Sequence, residues 1–186
     1  MIDTTLTYIK DLLNENFRNE FSISENKVVL SNIVNANGAV ASNVEDKVVF
    51  FLLNLDEEAA LKNNLNRSIP AGGDSYTHSP PVLHLNMQVI FCANFTEKNY
   101  AEGLRYLSSV VRFFQSNKKI ISGPAARTVN GLNFELCKLD YGELSHLWSA
   151  VGSKLMPAVV YKVGLLLFDD VPMSTMIPAV TQSEQQ

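Results

Sequence analysis

Pro80-Pro81-Val82-Leu83-His84-Leu85-Asn86-Met87 opens the stretch that decides the fold. It leads through Leu104-Arg105-Tyr106-Leu107 and Val111-Arg112-Phe113-Phe114-Gln115 to Asn133-Phe134-Glu135-Leu136. Leu144-Ser145-His146-Leu147-Trp148-Ser149 and Pro157-Ala158-Val159-Val160-Tyr161-Lys162-Val163 complete it. From Pro80 to Phe168 the order reads strand, amphipathic helix, strand, capped helix, strand. In the first strand Leu83, Leu85, Met87, Val89 and Phe91 share one face, and His84, Asn86 and Gln88 lie opposite. Thr96 is expected to cap the next helix, whose Tyr100, Leu104, Leu107, Val111 and Phe114 recur at helical spacing. Lys118 and Lys119 stand where cations favour a helix C-terminus. Leu132 to Leu136 alternates after the turn pair Asn130-Gly131. Asp140 and Glu143 have the spacing of a capping box, and Gly152 can close that helix. Leu144, Leu147, Trp148 and Val151 should face inward. Pro157 starts the last strand, with Val159, Tyr161, Val163, Leu165 and Leu167 on one face.

Working outward, Leu6, Ile9, Leu13 and Phe17 place a one-faced helix over about Thr4 to Phe17, with Asp3 at its start. Lys27 to Val34 reads as a strand ending at the turn Asn35-Ala36-Asn37-Gly38. Val44 to Leu55 holds the apolar run Val48-Val49-Phe50-Phe51-Leu52-Leu53, expected of a central strand covered on both faces. Asp56 to Ser79 lacks a clear period, and Pro70-Ala71-Gly72-Gly73-Asp74 marks its second half as loop; loops this long are usually functional or disordered. These elements predict an α+β domain: one mainly antiparallel mixed sheet with about three amphipathic helices packed on one face. Residues 1–170 form the domain, and Val171 to Gln186, with Pro172 and Pro178, form a flexible tail.

Composition narrows the function. The 186 residues are 46% hydrophobic and 18% charged, as in one ordinary globular domain. A net charge of −4 offers no basic field for phosphates, so nucleic acid is not an expected partner. Met1-Ile2-Asp3-Thr4-Thr5 lacks the features of a secretory signal, which predicts a cytoplasmic protein. The longest apolar run, Val163 to Phe168, is far shorter than a membrane span. Cys92 and Cys137 stand apart without a metal spacing and read as reduced core residues within strands.

A catalytic constellation does not emerge. His78 falls in the loop, His84 on a strand and His146 on a helix. Glu143 and His146 have the spacing of one arm of a di-iron site, but the second arm is missing, which leaves a solvent-facing pair. Gly72-Gly73-Asp74 and Gly123-Pro124-Ala125-Ala126-Arg127 lack the Lys-Ser/Thr of a phosphate loop. Asp169-Asp170 reads as a solvated strand end. No metal, cofactor or catalytic residue is therefore assigned. Three classes stay open: a structural assembly protein, a small cytoplasmic enzyme with a site around His84, Asn86 and Gln88, and a ligand-binding module using the loop as a lid.

Taken in order, Pro80-Pro81 with Leu85-Asn86, Phe113-Phe114-Gln115, Leu147-Trp148-Ser149-Ala150, and Pro157 through Tyr161-Lys162-Val163 resemble a known family. It is that of the cap, or tail-terminator, proteins of extracellular contractile injection systems, in their N-terminal domain. The resemblance spans about half the chain directly and is looser before Pro80, where only Asn35 to Leu53 has a comparable strand pattern. Many such caps continue into a further C-terminal domain, and this chain ends at Gln186, so that domain's role is not carried over. The resemblance implies a phage-tail-terminator-like fold and a non-enzymatic protein. It implies a homohexameric ring at the distal end of tube and sheath that stops tube growth and anchors the sheath. Expected partners are other copies, tube and sheath subunits, and a second cap protein. Assembly is expected in the cytoplasm, without membrane insertion. In such a ring the loop is the natural element to reach a neighbour. Arg67, Tyr76 and His78 from it, with His84, Asn86 and Gln88 from the polar strand face, are the candidate assembly interface.

Overall fold

A computed structural model describes residues 2–35, 37–58, 75–77, 83–120, 131–168 and 176–178. Its helices are α1 (Ile2–Phe21), α2 (Tyr100–Ser116) and α3 (Tyr141–Val151). The strands are β1 (Val28–Leu30), β2 (Lys47–Glu57), β3 (Ser75–Thr77), β4 (Leu83–Asn94), β5 (Lys119–Ile120), β6 (Leu132–Leu136), β7 (Ala158–Phe168) and β8 (Met176–Pro178). Six of them form one sheet in the order β1-β2-β4-β7-β6-β5, and β3 pairs with β8 in a separate ribbon. The β1 and β2 pair is parallel, and the remaining pairs are antiparallel. The sheet is therefore mixed and mainly antiparallel, with three helices, as the sequence predicts.

Strand alternation splits the core into two layers. Val48 and Phe50 of β2, Met87, Val89 and Phe91 of β4, and Tyr161 and Val163 of β7 point one way, beneath α1 and α2. Phe91 stacks on Phe50 with ring centroids 5.0 Å apart, and Phe114 of α2 stacks on Phe134 of β6 at 4.2 Å. Val49, Ile90, Cys92 and Val160 point the other way and meet Trp148 of α3 together with Ile33 and Val44. Helices thus cover both faces of the sheet, not one. Amphipathicity dictates that a helix buries a stripe, but the side of the sheet is decided by its connections: α3 enters from β6 through Cys137 and Leu139, which belong to the second layer.

Local signals hold where they are self-contained. Asp140 accepts the Glu143 N–H at 2.8 Å, and the Glu143 carboxylate accepts the Asp140 N–H at 2.9 Å. Gly152 closes α3 at φ 72°, a left-handed conformation that costs glycine little. Gly38 does the same at φ 80° in the turn after Val34, whose bridge partner is Val40.

Four local expectations are corrected. β1 keeps three residues of the strand expected over Lys27 to Val34. The buried side of α2 is Gly103, Tyr106, Leu107, Val110 and Phe114, while Tyr100 and Leu104 are exposed. Thr96 makes no side-chain cap; its hydroxyl and N–H both donate to Asp46 instead. Lys118 and Lys119 lie beyond the last turn of α2, which holds no basic residue and ends with the Asn117 N–H donating to the Phe113 carbonyl. A clasp joins α1 to α2: the Ser109 hydroxyl donates to Glu20, and Arg112 pairs with the same carboxylate.

Candidate assembly interface

The polar side chains of β4 acquire neighbours because β2 is irregular at Leu53. Leu52 stands opposite Val89 and Asn54 opposite Gln88, so one extra residue of β2 is taken up at Leu53. Before this bulge the odd-numbered residues of β2 face α3; after it the even-numbered ones do. Asn54 and Asp56 are thereby brought alongside Gln88 and Asn86. On the other flank Lys162 of β7 stands opposite Gln88, and Glu135 of β6 opposite Lys162.

These groups form one network. Gln88 donates through its side-chain amide to Asp56 at 2.6 Å, and Asn54 donates to the other Asp56 oxygen at 2.7 Å. Asn86, 3% exposed, donates to Glu58 at 2.8 Å. The Lys162 ammonium reaches the same Glu58 oxygen at 3.3 Å. Asp56 is held by neutral amides alone, and among the described residues no cation pairs with it. A half-buried carboxylate fixed by two donors keeps its charge oriented. Glu58 and Lys162 form a part-exposed ion pair, which by itself contributes little, about 0–1 kcal/mol.

Beside the network lies an open groove of about 640 Å³. Ile33, Val34, Phe51, Leu53, Leu147 and Val151 make it apolar, and Asn54, Gln88 and His146 edge it with polar groups. His84 shares the polar side of β4 and is half-buried; its Nδ1 is buried with no hydrogen-bond partner. Among the described residues no three His, Cys, Asp or Glu side chains stand close enough to hold a metal ion. Burial pushes the Cys92 thiol up to about 12, and burial also raises that of Cys137. Both cysteines are free; Cys92 is buried within β4 and Cys137 is half-buried just after β6. His146 is exposed on α3, as is Glu143, whose carboxylate serves the helix cap. No described helix is long and apolar enough to cross a membrane.

Of the six candidate residues, His84, Asn86 and Gln88 lie on one side of one strand, and Asn86 and Gln88 enter the network. Tyr76 lies in β3, opposite Ile177 of β8. Arg67 and His78 fall outside the described residues, as do Asp169-Asp170 and the two glycine-rich segments. Asn54, Asp56, Glu58 and Lys162 are the members that sequence reasoning missed. The alternation Asn54-Leu55-Asp56 after an unbroken apolar run is the signal that could have found the first two.

A mixed sheet with helices on both sides and a polar ladder along one half of one face is a fold similar to that of solved tube terminators. Over 96% of this chain it is similar to the tube-terminating cap of the anti-feeding prophage, solved by cryo-electron microscopy, with a TM-score of 0.58 and 14% identity. Over 94% it is similar to the sheath/tube terminator of a PVC extracellular contractile injection system in its extended state, with a TM-score of 0.54 and 15% identity. The chain spans 60% and 62% of the length of those two structures. It belongs to the Pvc16 N-terminal domain family, which matches residues 4–182. No curated protein matches it.

Proposed function

We propose that this chain is a structural terminator of a contractile injection particle. It caps the distal end of the inner tube and sheath, ends tube growth and ties the sheath to the tube. The observation that carries this reading is the family match over residues 4–182, supported by the shared fold of two terminators. A terminator must offer one surface complementary to the growing end and another that presents no template for a further layer. Copies arranged as a ring, with six members in the form the sequence resemblance implies, meet both needs through one repeated heterologous contact.

Within this reading the assembly residues are His84, Asn86 and Gln88 with their partners Asp56, Glu58 and Lys162, joined by Arg67, Tyr76 and His78. Tube and sheath subunits and a second cap protein are the partners, and assembly takes place in the cytoplasm before the particle is complete. In this reading the protein performs no chemistry of its own, which is supported by a polar network of amides, carboxylates and the Lys162 ammonium that are already engaged with one another.

The test is the particle-length distribution by negative-stain microscopy from producing cells with and without this chain. Loss of defined tube length, or sheaths found contracted or detached, is the expected outcome of deletion. Unchanged length and sheath state would refute the proposal.

A further inference from the structure

Each side of the large sheet leaves an apolar surface open. On the α3 side it is the groove of about 640 Å³ between α3 and β2. Its Phe51, Leu53, Leu147 and Val151 pack against the core layer of Trp148 yet are only half-buried. At its rim Asn54 and Gln88 both donate to Asp56. A carboxylate thus stands directly behind the rim, and among the described residues no cation pairs with it.

On the opposite side the open surface belongs to α2. One flank of this helix is taken by α1, where Tyr106 meets Phe17 and Phe21, and Ser109 and Arg112 meet Glu20. At about 3.6 residues per turn, Tyr100 and Leu104 fall on the other flank, where they are 51% and 39% exposed. Ala101, Arg105 and Ser108 are exposed beside them. The Arg105 guanidinium lies over the Phe21 ring, 5.7 Å from its centroid, and has no carboxylate partner among the described residues. A guanidinium on the face of a ring keeps its N–H edge for an acceptor.

The two surfaces cannot meet within one chain, because the sheet lies between them. We infer that the groove receives α2 of a second copy: Leu104 and Tyr100 enter between α3 and β2, and Arg105 reaches Asp56. Apolar anchors one turn apart are the pattern by which a helix lies in a groove. Charge selects the same contact. Groove against groove would set Asp56 against Asp56, and helix against helix would set Arg105 against Arg105, whereas groove against helix pairs the two opposite charges. Each copy then offers one groove and one helix to two different neighbours, and such a heterologous contact closes into a ring when its rotation divides a full turn. The inference rests on the assembly role proposed above and names the partner of its site.

Light scattering of the full chain over a range of concentrations tests it. The parent should form multimers, and Leu104→Asp should weaken association by about tenfold or more with circular dichroism unchanged. Arg105→Gln and Asp56→Asn should each weaken it about tenfold, and the two together no more than either alone, as for groups that act as a pair. In a Cys137→Ser background, chains carrying Leu104→Cys mixed with chains carrying Ala150→Cys should give a disulfide-linked dimer that neither gives alone. A parent that is monomeric at every concentration overturns the inference and leaves the groove to a tube or sheath subunit. So does a Leu104→Asp variant of parent size, additive losses at Arg105 and Asp56, or a multimer in which the mixed cysteines never join. Each of these bears on the contact alone; whether the chain stands at the end of a tube is read separately from particle images.

Discussion

Asn86 and Gly164 are a matched pair across β4 and β7: a Cβ on Gly164 would lie 2.7 Å from the Asn86 side-chain oxygen. Asn86 cannot easily yield, because its amide is tied to Glu58 and its side chain is buried. Gly164 lies where the β4–β7 register slips, between Met87↔Val163 and Leu85↔Leu166. The same irregularity breaks the alternation expected to run from Val159 through Leu167. Gly164→Ala should therefore destabilise the chain by about 1–3 kcal/mol, the usual cost of overpacking. Denaturant midpoints of Gly164→Ala, Asn86→Ala and the double variant check this. The double variant should be less destabilised than the sum of the singles; strict additivity would show that the two residues do not press on each other.

Trp148 is the one tryptophan of the chain. It is 5% exposed in the layer between α3 and the sheet. Trp148→Ala should cost about 3–5 kcal/mol. Because its Nε1 is buried without a hydrogen-bond partner, Trp148→Phe should cost clearly less than the alanine change. Native fluorescence should be blue-shifted and move red in a single step on unfolding; red emission from the native chain would place the indole in water.

Asp46 reports on acid stability. The backbone N–H of Thr96, then the Asn99 amide and Thr96 hydroxyl, hold its carboxyl below the usual carboxylate range against an opposing effect of burial. A carboxyl depressed in the folded state stabilises above its unfolded pKa of about 4, and that contribution is lost as pH falls through the folded value. Urea midpoints should drop as the pH falls below about 4 in the parent and drop less in Asp46→Asn. Asparagine also tolerates the positive φ of 51° at this position. Equal acid sensitivity of the two proteins would remove Asp46 from the account.

The two thiols should differ in kinetics. Reaction requires the thiolate, and Cys92 is fully buried with its thiol pushed up to about 12. A chromogenic disulfide reagent at pH 8 should modify Cys137 slowly and Cys92 only at the rate of unfolding. Two equivalents released at one rate from native protein would contradict the burial of Cys92.

What the sequence made legible was local. The turn at Gly38 and the capping box at Asp140 and Glu143 depend on near neighbours. The alternation of His84, Asn86 and Gln88 shows directly which side chains share a face. The α2 face was misjudged because Tyr100 and Leu104 are apolar yet exposed, while Gly103 and Ser109 are small or polar yet buried. Gly103 is buried because α2 passes close to Phe95, 2.7 Å from where a Cβ would be, and no helical period encodes that approach. β1 was drawn too long because its end is set by a parallel partner at Val48 to Phe50. Four of the six network residues escaped notice for a similar reason: Asp56, for one, joins Gln88 only through the bulge at Leu53, and register between distant strands is not written in either strand alone.

Labelling this chain within assembled particles, and imaging them by electron microscopy, tests the central claim most directly. The account predicts label at one end of each particle, the end where tube and sheath stop, and none along the shaft. Label distributed along the shaft, at the opposite end, or absent from intact particles would contradict it.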